Sequence, residues 1–157
     1  MIRGPHTFST GKERSNGYLK AIKDFGLPYD DQLIVQGKYS EKQSYDSAMK
    51  LFNSDNPPTA VFSSNDLMAL RVYDAALSCG LSVPRDVALV GFDDIEIASH
   101  RAIGLTTVSQ NLNMMAEIAF DTLRKMIENG PFQQPVQVVL KPMLTVRKTC
   151  GSQIKKI

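Results

Sequence analysis

Short continuous apolar runs alternate along the chain with longer segments whose apolar residues recur every three to four positions. The runs are Leu33-Ile34-Val35-Gln36-Gly37, Ala60-Val61-Phe62 and Val87-Ala88-Leu89-Val90-Gly91-Phe92. Each is bounded by Gly, Pro, Asn or Asp, as expected of strands buried on both faces of a parallel sheet. Between them the spacing is helical. Tyr18, Ile22 and Phe25 share a face that ends at Gly26 and Pro28. Tyr45, Ala48, Met49 and Phe52 repeat the pattern up to Asn56-Pro57-Pro58, and Ala69, Tyr73, Ala76 and Leu77 repeat it up to Gly80. The order β-α-β-α-β predicts an α/β fold, a parallel sheet flanked by helices on both faces.

The last third continues with a strand over 105–110 and an amphipathic helix over 111–129. Leu112, Met115, Ala116, Ala119, Leu123, Met126 and Ile127 form its stripe, and Gly130-Pro131 stops it. Short strands are expected at 136–140 and 143–146, with a frayed tail over 151–157. Met1-Ile2 is short for the strand that should precede the first helix, so that strand is expected to be incomplete.

Composition narrows the function. A hydrophobic share of 43% against 22% charged residues suits a globular domain with a core. The longest apolar runs, such as Val136 to Leu140, are too short to span a bilayer, and the start lacks a secretion-signal pattern. A formal charge of +2, with no basic block longer than Lys155-Lys156, leaves no electrostatic footprint for nucleic acid. Cys79 and Cys150 stand apart, as free thiols of a reducing cytoplasm do.

Enzyme signatures are missing. Ser9-Thr10-Gly11-Lys12 resembles part of a phosphate loop, but Gly4 lies seven residues before Gly11 rather than five, and Glu13 replaces the needed Ser or Thr. His6 and His100 have no i+4 partner, so no metal site is expected, nor any cofactor. No nucleophile–base pair is readable.

In open parallel sheets ligands bind beyond the C-terminal strand ends. The residues following the strands are Phe8, Thr10, Glu13 and Arg14, then Lys38-Tyr39, then Ser63 to Asp66, then Asp93-Asp94. Carboxylate acceptors, an arginine donor and an amide that does both suit a polyol, and an aromatic ring suits the apolar face of a sugar. Other duties compete. Asn65 or Ser64 caps the following helix whether or not it meets a ligand, and Asp94 reads as a turn or cap residue. Asp93 has no helix to cap and reads as a ligand contact. Its change to Asn is expected to weaken ligand binding with little effect on stability. Arg14 near a helix start runs against the helix dipole, which points to an anionic or hydroxylated partner or to an ion pair with Asp93 or Glu13. Tyr39 is either core edge or pocket wall.

Two long segments carry a resemblance. Pro58-Thr59-Ala60-Val61-Phe62-Ser63-Ser64-Asn65-Asp66-Leu67-Met68-Ala69-Leu70 and Gly80-Leu81-Ser82-Val83-Pro84-Arg85-Asp86-Val87-Ala88-Leu89-Val90-Gly91-Phe92-Asp93-Asp94 resemble signature stretches of the lactose/galactose repressor (LacI/GalR) family. Leu105-Thr106-Thr107-Val108 with Gln110, and Arg14 with Gly17-Tyr18, are similar to two further motifs, so the likeness runs from residue 1 to about Cys150. It implies a cytoplasmic transcription regulator, not an enzyme, with a two-lobed periplasmic-binding-protein-like core. Such a core binds a small-molecule effector such as a sugar. DNA would be bound only through a helix-turn-helix domain absent from this chain. A sugar-binding protein of a transport system is the alternative. The resemblance assigns 1–103 to the second lobe, 104–130 to a strand and helix of the first lobe, and 131–150 to the return. It implies effector contacts at Arg14, Asn65 and Asp93, with Thr10 and Tyr39 lining the pocket. Phe8 stands at a position that is a contact in relatives. It also implies a homodimer, with Leu70, Tyr73, Ile95 and Ile97 as interface candidates. The stripe of the 111–129 helix would then lack its first-lobe partner and is expected to bury itself against a second copy of the chain.

Overall fold

The structure is a computed structural model and describes residues 1–152. Its ten main elements are β1 (Ile2–Arg3), α1 (Ser9–Asp24), β2 (Val35–Gln36), α2 (Glu41–Phe52), β3 (Ala60–Phe62), α3 (Asp66–Ser78), β4 (Ala88–Asp93), β5 (Thr106–Ser109), α4 (Leu112–Asn129) and β6 (Met143–Thr145). The α/β alternation read from the hydrophobic pattern is present in this order. β1 pairs in parallel with β2, Ile2 opposite Val35, and bridges in parallel to Ser63 just beyond β3. β3, β4 and β5 are parallel neighbours, with Val61 opposite Leu89 and Gly91 opposite Thr107. The strands therefore lie in the order 2-1-3-4-5-6, and the direction of winding reverses between β1 and β3. Crevices for ligands open beyond the strand ends at such reversals.

One face of the sheet carries α2 and α3. Ala48, Leu51, Met68, Ala69 and Val72 pack there with Val61 and Leu89 of the strands, all nearly inaccessible to water. Side chains alternate along a strand, so Phe62, Val90 and Phe92 point to the other face, toward α1. α1 approaches through small residues, with only Gly11 and Ser15 buried. Gly11 is obligatory because a Cβ there would lie 2.3 Å from the Pro5 carbonyl oxygen. α2 and α3 begin at side-chain caps: Ser40 Oγ accepts from the Gln43 N–H, and Asn65 Oδ1 from the Met68 N–H.

Several expectations are corrected. The stripe Tyr18–Ile22–Phe25 is not a core face, since Phe25 lies past the end of α1 and is 80% exposed. Leu77 also faces water. The expected parallel sheet is present, and among the described residues only β6, at its edge, runs antiparallel to its neighbour. No strand forms at 136–140: β6 has taken the free edge of β5, and Val136, Val138 and Val139 stay exposed. A strand without a neighbour leaves its backbone groups unpaired. β5 is hydrogen-bonded to β4 in this sheet, whereas α4 leaves it and buries none of its residues. Of the tail expected to fray, residues 153–157 lie outside the described part.

The segment after β6 is anchored firmly. Thr149 Oγ1 donates to the Leu89 carbonyl and accepts from the Thr106 N–H. Arg147 donates to Asp94 Oδ1 at 2.6 Å and to the Leu105 carbonyl at 2.8 Å.

Candidate functional site

The crevice predicted by the strand order is built from α1 and the ends of β3, β4 and β5. Arg14, one turn after Thr10 on α1, reaches into it. One guanidinium nitrogen donates to the Ser64 carbonyl at 2.6 Å, and another to Asp93 Oδ1 at 2.9 Å. The guanidinium carbon lies 3.9 Å from the centre of the Phe92 ring, a cation–π placement. Gln110, just past β5, donates its amide to the same Asp93 Oδ1 at 2.9 Å. Among the described residues, no hydrogen bond goes to Asp93 Oδ2.

The ion pair is half-sheltered, with Arg14 and Asp93 side chains 13% and 28% exposed. Burial raises the proton affinity of the Asp93 carboxyl above its ordinary value, while Arg14 and Gln110 pull it back. Asp93 and Asp94 both adopt positive φ, 115° and 55°, a region costly for residues with a side chain. Asp94 is neither free nor a helix cap; it pairs with Arg147 and accepts from Thr145.

The hollow beside the Arg14–Asp93 pair has a volume of about 520 Å³. Thr10, Glu13, Arg14, Gly17, Tyr18 and Ala21 of α1 line one side, and Phe62, Phe92, Val108 and Gln110 the other. Phe92 and Gln110 also border a second hollow of about 590 Å³ between α4 and residues 136–142. At the outer rim Thr10 Oγ1 lies 3.3 Å from the Tyr39 hydroxyl, and the Tyr39 ring lies 6.2 Å from that of Phe8.

The structure thus brings Arg14 and Asp93 into contact and sets Thr10, Tyr39 and Phe8 beside each other one helical turn away. Of the two readings of Tyr39, the structure places it against the edge of the core; its hydroxyl meets Thr10, but it does not line the hollow. Asn65 spends its side-chain oxygen on capping α3. Phe92, as a ring beneath Arg14, and Gln110, as a second donor to Asp93, were missed as site residues. The position of both just beyond or at a strand end was the available signal. Leu70 and Tyr73 are half-buried on α3, Ile95 packs against the core, and Ile97 is exposed beside it. Cys79 and Cys150 are free thiols. Among the described residues no three His, Cys, Asp or Glu side chains gather as a metal site, and no helix is long and apolar enough to cross a membrane.

The arginine–carboxylate pair lies beyond a strand end, the region where open α/β sheets take ligands. A family profile described as a periplasmic binding protein-like domain matches residues 1–150. The ribose operon repressor of Escherichia coli K12 is 36% identical over 146 residues, which are 93% of this chain and 44% of that protein. The HTH-type transcriptional repressor PurR of Photorhabdus laumondii is 34% identical over 128 residues, 82% of this chain and 38% of that protein. The solved complex of the transcriptional regulator CelR with cellobiose superposes with a TM-score of 0.82 at 32% identity, covering 94% of this chain and 45% of that one. A LacI transcriptional regulator from a Rhodococcus species also gives 0.82 at 32% identity, covering 96% and 54%. The chain belongs to the periplasmic binding protein-like domain family, and these relatives and structural neighbours carry the names of transcription regulators. It spans about two fifths of the length of the curated relatives it matches.

Proposed function

We propose that this chain is the effector-sensing part of a transcription regulator and that its effector is an uncharged polyhydroxylated molecule, a sugar or sugar derivative. The observation that carries the reading is the Arg14–Asp93–Gln110 cluster over Phe92. The charges of Arg14 and Asp93 offset each other and Glu13 adds a negative one, so the hollow favours a neutral ligand over an anion. The unengaged Asp93 Oδ2 accepts from ligand hydroxyls, Arg14 and the amide nitrogen of Asn65 donate to them, and Phe92 or Phe8 covers an apolar sugar face. Thr10 and Tyr39 close the rim. A cellobiose complex among the structural neighbours supports this ligand class.

In this reading 1–110 and the segment from β6 to residue 150 make one lobe, and α4 belongs with a second lobe, so the crossing out of this sheet comes at α4 rather than at residue 104, since β5 pairs with both β4 and β6. Effector closes the two lobes and biases the spacing of two helix-turn-helix heads outside these 157 residues. The intact regulator is cytoplasmic and dimeric, with Leu70, Tyr73, Ile95 and Ile97 at the contact, and it performs no catalysis. The regulator names carried by the relatives favour it over a transport-associated binding protein. The test is calorimetric titration of the chain with D-ribose, D-glucose and cellobiose beside their phosphorylated counterparts. Binding of a neutral sugar that is lost in Arg14→Met supports the reading. Binding of phosphorylated forms alone refutes it.

A further inference from the structure

Asp66, the first residue of α3, is inaccessible to water, yet it is an acid in a core. Its Oδ1 accepts from the Thr107 hydroxyl at 2.6 Å, and its Oδ2 from the Ile95 N–H at 3.0 Å. Gly91 stands opposite Thr107 on β4, and a Cβ at Gly91 would lie 2.1 Å from Asp66 Oδ1. The carboxylate thus fills the space a side chain at Gly91 would need. The Thr107 hydroxyl in turn accepts from the Asp94 N–H at 3.4 Å. Both peptide N–H groups that follow Asp93 are therefore held by the Asp66–Thr107 pair. Asp94, with its positive φ, lies between them, and Asp93, with its own, comes immediately before. Such a backbone persists only where its surroundings over-determine it.

We propose that Asp66, acting through Thr107, is a positioning residue. It fixes the turn that aims Asp93 at Arg14, and so presets the pair for its ligand. The proposal rests on the effector reading for its purpose, but the geometry it sets can be read without any effector. Thr107 is buried and does not line the hollow, so changing it touches no bound ligand.

The test compares Thr107→Val, which keeps the shape and removes the hydroxyl, with Thr107→Ser, which restores it. In the free chain a clamped Arg14 guanidinium gives separate, slowly exchanging N–H signals by NMR. The expected result is separate signals in the unmodified chain and in Thr107→Ser, and collapsed signals in Thr107→Val. With a neutral sugar that binds the unmodified chain, affinity should fall about tenfold in Thr107→Val and recover in Thr107→Ser. A merely structural role predicts a lower Tm with unchanged Arg14 signals and unchanged affinity of the folded protein, and that result overturns the proposal. If Thr107→Val does not fold, Asp66→Asn is read the same way. A chain that answers to no sugar sinks the effector reading, while the Arg14 signals still decide the positioning.

Discussion

Replacing Asp93 with Asn keeps its shape and removes its charge, and the structure sets what that costs. Asp93 Oδ1 takes bonds from both Arg14 and Gln110. The Asn carbonyl can still accept, but Arg14, 13% exposed, loses its counter-charge and keeps only the Ser64 carbonyl and the Phe92 ring. Breaking a fully buried pair costs about 3–5 kcal/mol, and this pair is more open. The neutral side chain also escapes the burial penalty that raises the Asp93 pKa. A net loss of about 1–2 kcal/mol follows, or roughly 2–8 °C in Tm for a chain of this size. Stability alone, read from the sequence, was expected to change little; the ion pair revises that. Effector affinity should fall further, about 10- to 100-fold, because ligand hydroxyls lose a charged acceptor. Differential scanning calorimetry and sugar titration of the same preparations give both numbers. Unchanged Tm together with unchanged sugar affinity would refute the reasoning.

Four other outcomes are expected. Gly91→Ala drives a methyl group into the Asp66 carboxylate and should destabilise the chain by about 3 kcal/mol, measured by urea unfolding; a neutral effect would mean the core yields there. Arg147→Met removes the bonds to Asp94 and the Leu105 carbonyl and should cost about 1–3 kcal/mol, with amide exchange accelerating first along β5 and β6; equal protection in both proteins would contradict it. Burial raises the Asp66 pKa above 3.8, so its contribution to stability is fully present below 3.8 and is lost as pH rises through the folded value. The stability of the unmodified chain relative to Asp66→Asn should therefore decline from pH 3.5 to 7, and an opposite slope would show the sign to be wrong. The exposed stripe of α4, with Leu123 56% and Met126 40% accessible, should hold the 157-residue chain as a dimer or larger. Sedimentation should then show the Leu123→Glu, Met126→Glu double variant as a folded monomer; a compact monomer for the unmodified chain defeats the idea.

Much of the frame is local information, and the hydrophobic pattern carried it. The runs at 60–62 and 87–92 became β3 and β4, and α2 buries Ala48 and Phe52 as their spacing required. Exposure of Phe25 and Leu77 escaped the pattern because periodicity names a face without naming what covers it. Val136 to Leu140 had the composition of a strand, but it is β6, not this segment, that pairs with β5. At the site, single residues could be placed at strand ends, but their pairing could not. Arg14 and Asp93 are 79 residues apart, and nothing local distinguishes Asp93 from Glu13 as its partner. Asp66 looked like one more polar residue at a helix start, because only the register of Gly91 against Thr107 makes room for it.

The anchoring of Thr149 across the sheet has a consequence for synthesis. Thr106 waits for a partner 43 residues downstream, and Leu89 for one 60 residues downstream. Translation at about 5–20 residues per second separates Thr106 from Thr149 by roughly 2–9 s. During that interval the nascent sheet has β5 at an open edge, with its backbone groups available to any other unpaired strand. Residue 149 must emerge before these bonds can close, so a stop before residue 143 is expected to leave β5 as an open edge ready to pair with other strands.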